Sequence, residues 1–131
     1  MGSITLQRIL VADDEPDILE IARIALEMVG GFEVVACSSG QALLEALPDF
    51  KPDLVIVDVL MPDMSGLEAV EEIRRLPEFK ELPYVFLTGT IAEEEIEGLR
   101  EAGAADIILK PFDPMTLADR VDNIWKGTHG T

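Results

Sequence analysis

The chain has 131 residues, of which 48% are hydrophobic and 27% charged, and its formal net charge is −16. This length suits one domain with a buried core, and the composition excludes a disordered chain. The acidic balance opposes direct binding to nucleic acid or an anionic membrane, because both need clustered lysine and arginine. No apolar run approaches the roughly 18 residues of a membrane-spanning helix, and the amino terminus lacks a signal-peptide pattern. We therefore expect a cytoplasmic single domain over residues 1–131, with a core of about 7–126 and a tail at 127–131.

Short apolar runs alternate with segments of helical periodicity, beginning with a strand predicted at residues 8–12. A helix follows that begins at Pro16, a residue suited to the first helical turn. Apolar residues at intervals of three and four predict one buried face of this helix, formed by Ile18, Ile21, Ala22, Ala25, Leu26 and Val29. A second strand is predicted at residues 32–36, and Ser38–Gly40 offer a cap for a short helix that Pro48 ends.

The second half of the chain repeats this alternation, with strands predicted at residues 54–57, 84–87 and 105–109. Helices are predicted after Ser65-Gly66, before Gly103, and after the cap formed by Asp113-Pro114. Five strands and five helices with short connections predict an α/β fold, a doubly wound parallel sheet between two helix layers. This flavodoxin-like three-layer sandwich suits the strand order 2-1-3-4-5, which brings the ends of strands one and three together.

Polar residues of complementary charge follow four of the predicted strands. Asp13-Asp14 follow the first strand, Asp58 the third, Thr88 the fourth and Lys110 the fifth. Because the carboxyl ends of parallel strands meet at one edge of the sheet, we expect these groups to lie together. Three close carboxylates repel one another, and their oxygen atoms suit Mg²⁺. The pattern therefore predicts a magnesium site in which Asp58 accepts a phosphoryl group, with Lys110 and Thr88 contacting its oxygens.

These motifs resemble the receiver domain of the response regulators of two-component systems, over roughly residues 7–126. The matching segments, at the intervals that the family shows, are Asp13-Asp14-Glu15, Asp58–Asp63 with Gly66, Thr88-Gly89 and Lys110-Pro111-Phe112. The resemblance implies that Asp14 and Asp58 bind Mg²⁺ directly, while Asp13 helps through water. It also implies that the backbone carbonyl of Leu60 completes the protein ligands and that the peptide bond before Pro111 is cis.

The resemblance implies a phosphorylation-dependent signalling switch, whose phosphoryl donor is the phosphohistidine of a histidine kinase or phosphotransfer protein. The domain would catalyse only its own phosphorylation and dephosphorylation, so we do not expect an enzyme that turns over a small molecule. Its output would pass to a downstream protein or to a covalently linked output domain that this sequence does not include. A homodimer formed through one of the last two helices stays open as an alternative.

The sequence departs from the family pattern at Ile107, where Tyr or Phe usually stands three residues before the lysine. An isoleucine has no ring to move toward the threonine, so we expect any signal to leave through residues 88–93 and the helix after them. Leu60 and Thr90 occupy positions that flank the phosphoryl group in the family and modulate its lifetime. Simple packing within their loops is the alternative interpretation for both residues.

Three other classes of function are weaker alternatives. A Mg²⁺-dependent phosphatase of the haloacid dehalogenase type also uses an aspartate nucleophile, but it needs a second acid where this chain has Leu60. A nucleotide or flavin binder is disfavoured because the chain has neither a GxxxxGK[ST] nor a GxGxxG motif. A receiver-like interaction module that no longer signals through phosphorylation is the third alternative, and Ile107 is the residue that favours it.

Overall fold

The computed structural model describes residues 5–89 and 92–128, in which five strands alternate with five helices. The strands are β1 (Arg8–Ala12), β2 (Glu33–Cys37), β3 (Leu54–Asp58), β4 (Tyr84–Thr88) and β5 (Asp106–Leu109). The helices are α1 (Pro16–Ile24), α2 (Gly40–Phe50), α3 (Gly66–Arg74), α4 (Glu93–Glu101) and α5 (Leu117–Thr128). A π-helical segment, Ala25–Val29, continues α1, and a short 3₁₀ segment, Pro77–Phe79, precedes β4.

All four strand pairings are parallel, and the strand order is β2-β1-β3-β4-β5. This arrangement confirms the predicted doubly wound topology. Ala12 lies opposite Val57 in the pairing of β1 with β3, so the residues that follow these two strands emerge side by side. Thr88 lies opposite Leu109 in the pairing of β4 with β5, which places the end of β5 at the same edge.

The sheet has a buried core on each of its faces, as the alternation of side chains along a strand requires. Every residue of β3 is buried, which accounts for its uninterrupted aliphatic sequence. Val55 and Val57 face the helices α2, α3 and α4, whereas Leu54 and Ile56 face α1 and α5. Trp125 of α5, only 2% exposed, is the largest fully buried side chain in the core between the sheet and the helices α1 and α5.

The predicted end of the second helix at Pro48 is wrong, because α2 continues to Phe50. Pro48 lies in the last turn of α2, where its missing N–H removes a single intrahelical hydrogen bond. The helix ends instead at Lys51, which adopts the left-handed conformation with a φ of 51°. The observed β2 and β5 each begin one residue later than predicted, a normal shift at strand ends.

The predicted buried face of the first helix is too wide. Ala22, Ala25 and Leu26 are buried, but Ile21 and Val29 are 43% and 49% exposed. We use the name α1 surface for the exposed apolar side chains of Ile21, Ile24, Met28, Val29 and Met115. Together with Ala25 and Pro114 these side chains line a groove of about 190 Å³ between α1 and the segment before α5. Within the described ranges, no helix combines the length and apolar character needed to span a bilayer.

Candidate phosphorylation and metal site

The polar residues predicted from the strand ends lie in one cleft at the carboxyl edge of the sheet. Asp58 and Thr88 are the last residues of β3 and β4, and Lys110 follows β5 directly. The cleft has a volume of about 430 Å³ and is lined by Asp14, Glu15, Asp58, Val59, Leu60, Thr88, Gly89 and Lys110. Backbone hydrogen bonds extend the sheet to this edge, since the Lys110 N–H donates to the Thr88 carbonyl at 2.8 Å.

Three carboxylates form the acidic part of the cleft. Asp13, Asp14 and Asp58 each offer one oxygen, and these three atoms lie within 4.8 Å of one another. Asp13 is fully buried and Asp58 is 5% exposed, so neither charge is well solvated. Closely spaced carboxylate oxygens with open space beside them are a donor set that fits a hard divalent cation such as Mg²⁺.

Lys110 lies beside two of these carboxylates, and also beside that of Glu15, with its side chain only 12% exposed. Its Nζ is 2.8 Å from Asp13 Oδ2, 2.9 Å from Glu15 Oε1 and 3.1 Å from Asp58 Oδ1. Burial alone disfavours the ammonium, but the three carboxylates outweigh it and raise the pKa of Lys110 above its ordinary value. The lysine therefore brings a permanent positive charge to the cleft at neutral pH.

The environment of Asp58 favours its neutral form more than water does. Burial, together with repulsion from Asp13, raises the pKa of Asp58 from 3.8 to about 6, although Lys110 acts in the opposite direction. A cation beside this carboxyl would favour the ionised form, which is the form that has a nucleophilic oxygen. The carboxylate is thus destabilised in the protein alone and suited to a positively charged partner.

Gly66 allows the start of α3 to lie directly against the backbone of Asp58. A Cβ atom at position 66 would stand 2.5 Å from the Asp58 carbonyl oxygen and 3.1 Å from the Val59 Cα. The Gly66 N–H donates a hydrogen bond to the Val59 carbonyl at 2.8 Å. Ser65 and Glu68 then form a capping box that begins α3. These contacts hold the chain that leaves Asp58 in one position.

Asp63 connects the loop after Asp58 to α2. Its carboxylate accepts hydrogen bonds from the backbone N–H groups of Gln41 at 2.8 Å and Gly40 at 3.1 Å. These hydrogen bonds lower the pKa of Asp63 below its ordinary value. Ser39 caps the same helix end through its own hydroxyl, as predicted, by accepting from the Ala42 N–H at 3.1 Å. The loop beside the cleft is therefore attached to two helices.

The remaining predicted site residues lie at different distances from the acidic group. Thr88 is 5% exposed and lines the cleft, whereas the side chain of Leu60 projects from its rim and is 76% exposed. The predicted role of the Leu60 carbonyl as a metal ligand stays a prediction. Thr90 lies outside the described residues, so the prediction for its side chain also stays open.

The peptide bond between Lys110 and Pro111 is cis, as the resemblance implies. Ile107 is 6% exposed and lies opposite Phe86 in the pairing of β4 with β5. It packs in the core beneath α4 together with Leu99 and Tyr84. The residue at the usual aromatic position is therefore an ordinary core residue in this structure.

Glu15 is a contact residue of the cleft to which sequence reasoning assigned no role. Its carboxylate receives a hydrogen bond from the Lys110 ammonium at 2.9 Å, although 95 positions separate the two residues. The available signal was its place directly after the acidic pair Asp13-Asp14 and before Pro16. A carboxylate fixed to the start of α1 can reach only what lies beside that helix end, which in this fold is Lys110.

Comparison with known proteins agrees with this fold and this site. A family model described as the response regulator receiver domain matches residues 9–122, and the chain belongs to this family. Receiver domains are signalling modules that bind Mg²⁺ at an acidic pocket and interact with histidine kinases or phosphotransfer proteins. The fold and the family thus agree on the class of protein.

Individual relatives show how much of each protein is shared. The phosphate regulon transcriptional regulatory protein PhoB of Pseudomonas aeruginosa is 36% identical over 121 residues, which cover 92% of this chain and 52% of that protein. A probable cyclic di-GMP phosphodiesterase of Vibrio cholerae is 36% identical over 113 residues, or 86% of this chain and 25% of that protein. The chain thus spans about half or less of these two relatives. The structure of chemotaxis response regulator CheY4 of Vibrio cholerae matches with a TM-score of 0.83 and 29% identity, covering 92% of this chain and 99% of that one.

Proposed function

We propose that this receiver domain is a signalling switch in which Asp58 accepts a phosphoryl group from a phosphohistidine. The donor is a histidine kinase or a phosphotransfer protein. The observation that carries the proposal is the position of Asp58 in the cleft, 3.1 Å from Lys110 Nζ and beside the carboxylates of Asp13 and Asp14. A reactive carboxylate, a fixed cation and a set of oxygen ligands are the parts that phosphoryl transfer to aspartate needs.

In the proposed reaction a carboxylate oxygen of Asp58 attacks the phosphorus atom. A phosphorus–oxygen bond forms while the bond from phosphorus to the imidazole nitrogen breaks, and its electron pair stays on that nitrogen. Lys110 and the Thr88 hydroxyl stabilise the charge on the phosphoryl oxygens. Asp14, Asp58 and the Leu60 carbonyl would hold Mg²⁺ directly and Asp13 through water, and the ion when bound supplies positive charge that offsets the phosphoryl charge. Water then attacks the phosphorus atom, the bond from phosphorus to the Asp58 oxygen breaks, and inorganic phosphate leaves the free carboxylate, so the domain acts only on itself.

We propose the α1 surface as the docking place for the donor protein. Met28 and Met115 are 81% and 69% exposed, and together with three further apolar side chains they form an exposed hydrophobic patch, which is typical of an interaction site. Met115 lies in the segment that joins Lys110 of the cleft to α5. Flexible methionine side chains suit an interface that adapts to the surface of a partner.

A receiver-like interaction module that does not use phosphorylation is the second candidate, and the aliphatic core packing of Ile107 favours it. The acidic group and Lys110 favour the switch instead. One measurement separates the two. The intact mass of the protein after incubation with Mg²⁺ and acetyl phosphate should rise by one phosphoryl group, and Asp58→Asn should show no rise. An unchanged mass, together with amide NMR shifts that do not respond to Mg²⁺ and beryllofluoride, would reject the switch and favour the interaction module.

The docking proposal is tested with two donors that differ in size. The double variant Met28→Lys, Met115→Lys should accept phosphoryl groups more slowly than the parent from a phosphotransfer protein that phosphorylates the parent. Acetyl phosphate needs no docking surface, so its rate with the same variant is the internal control. Equal rates of transfer from the protein donor would reject the α1 surface as the docking place.

A further inference from the structure

We propose that Glu15 is a positioning residue that holds the Lys110 ammonium by a hydrogen bond in the unphosphorylated protein and slows the entry of a phosphoryl group. The inference rests on the proposed phosphorylation of Asp58. Glu15 lies on the rim of the cleft, and its Oε1 accepts a hydrogen bond from Lys110 Nζ at 2.9 Å. The same ammonium is the group that must contact the phosphoryl oxygens when they arrive.

The three carboxylates around Lys110 differ in their freedom to leave. The side chain of Asp13 is 0% exposed and that of Asp58 is 8% exposed, whereas that of Glu15 is 59% exposed. Asp13 is also held in place, because its Oδ1 accepts the backbone N–H of Glu15 at 2.9 Å. Glu15 is therefore the partner of Lys110 that can turn out into solvent without disturbing the core.

The hydrogen-bonding capacity of Lys110 makes this competition direct. An ammonium group has three N–H donors, and three carboxylates lie within 3.1 Å of Nζ. Of these three carboxylates only that of Glu15 accepts a hydrogen bond from Nζ, so a phosphoryl oxygen that binds Nζ competes first with Glu15. Asp58 is the acceptor and Asp13 is buried, so displacement of Glu15 is the remaining route.

The charge of Glu15 acts in the same direction as its contact. A phosphoryl donor is an anion, and it must enter a cleft that already holds the charges of Asp14, Asp58 and Glu15. One carboxylate at the rim repels a dianion at about 6 Å enough to change its binding by several-fold to tenfold in low salt. Both effects are lost when the Glu15 side chain becomes a neutral amide of the same shape.

The test compares Glu15→Gln with the control Asp17→Asn, which removes one exposed negative charge from the first turn of the same helix. Phosphorylation by acetyl phosphate is measured at saturating Mg²⁺ and in low salt. We expect Glu15→Gln to react about three- to tenfold faster than the parent, with the ratio falling toward one in high salt. Asp17→Asn should react about as fast as the parent. A purely structural role for Glu15 would give no dependence of this ratio on salt.

A second measurement does not need phosphorylation. The ¹⁵N-detected NMR signal of the Lys110 ammonium should shift in Glu15→Gln and stay in place in Asp17→Asn. If the parent protein accepts no phosphoryl group but the Lys110 signal shifts in Glu15→Gln, the proposed function of Asp58 is rejected and the contact between Glu15 and Lys110 is supported. A phosphorylated parent with a Glu15→Gln rate equal to or below its own, or an equal gain in Asp17→Asn, would overturn the proposal for Glu15.

Discussion

Replacing Asp58 by asparagine should stabilise the metal-free protein at neutral pH. The ionised Asp58 carboxylate is buried beside Asp13, which costs free energy, and Lys110 compensates for only part of this cost. The pKa of Asp58 is therefore about 6 and not 3.8. Asparagine has nearly the same shape and no charge, so the variant removes the penalty without leaving a cavity. Lys110 keeps its contacts with Asp13 and Glu15 in the variant.

The magnitude follows from the difference between the two pKa values. A shift from 3.8 to about 6 corresponds to about 3 kcal/mol of the free energy of unfolding at pH 7.5. A raised pKa in the folded state means that this state binds the proton more tightly. The penalty is therefore absent below pH 3.8, grows as the pH rises to about 6, and is complete above that value.

Urea unfolding of parent and variant at several pH values between 4 and 8 measures this difference. The free energy of unfolding of Asp58→Asn should exceed that of the parent by about 3 kcal/mol at pH 7.5 and by much less near pH 4. The melting temperatures should differ by roughly 10 °C at pH 7.5 for a domain of this size. Subtracting the two proteins at each pH removes the contribution of the carboxylates that they share.

The effect of Mg²⁺ on stability is a second test of the role of the Asp58 carboxylate. A cation that binds only the folded parent stabilises it by about 1.4 kcal/mol at ten times its dissociation constant. Mg²⁺ should therefore narrow the gap between the parent and Asp58→Asn, because the variant has lost one ligand. A difference in stability that does not change with pH, or a variant less stable than the parent at pH 7.5, would refute the reasoning.

Three further substitutions test contacts around the cleft and α4, each by urea unfolding. Gly66→Ala should cost about 2 kcal/mol and slow phosphorylation, since its Cβ would stand 2.5 Å from the Asp58 carbonyl oxygen; normal stability would contradict the observed packing. Ser65→Ala should cost about 1 kcal/mol through loss of the capping box, and phosphorylation should persist. Tyr84→Phe should cost about 1–2 kcal/mol because the phenol hydroxyl contacts Arg74 and the carbonyl of Ala102, which directly follows α4, and an unchanged stability would exclude that contact.

The positions of the site residues followed from simple properties of the chain. The aliphatic sequence of β3 required burial on both faces, and a parallel sheet brings the ends of its strands to one edge. Asp58, Thr88 and Lys110 therefore came together once the strands were recognised. The cleft was predictable from sequence because each of its main residues comes directly after a strand or at its end.

Other features depended on tertiary packing that periodicity does not encode. The apolar pattern of the first helix includes Ile21 and Val29, but these side chains are 43% and 49% exposed, and nothing in their spacing marks them as exposed. The sequence predicts a helix end at Pro48, but a proline so close to the end of α2 has only a small effect on the helix. The contact of Glu15 with Lys110 joins residues from opposite ends of the chain, which only the fold brings together.

The two ends of α4 are held differently, and this bears on how the state of Asp58 could reach the surface. At its carboxyl end, Arg74 donates a hydrogen bond to the Ala102 carbonyl at 2.7 Å, and Tyr84 also donates to this carbonyl. Between Thr88 and this helix lies an apolar cavity of about 250 Å³, whose lining extends along α4 from Glu94 to Leu99.

A helix that is attached at its carboxyl end and bordered by open space before that end can move most easily about the attached end. Because Ile107 has no ring that could turn inward, we expect phosphorylation of Asp58 to displace the amino-terminal half of α4 about its carboxyl end. Amide NMR shifts on phosphorylation should then be large from Glu93 onward and small at Ala102. Shifts confined to surfaces away from α4 would show that the signal leaves the domain by another route.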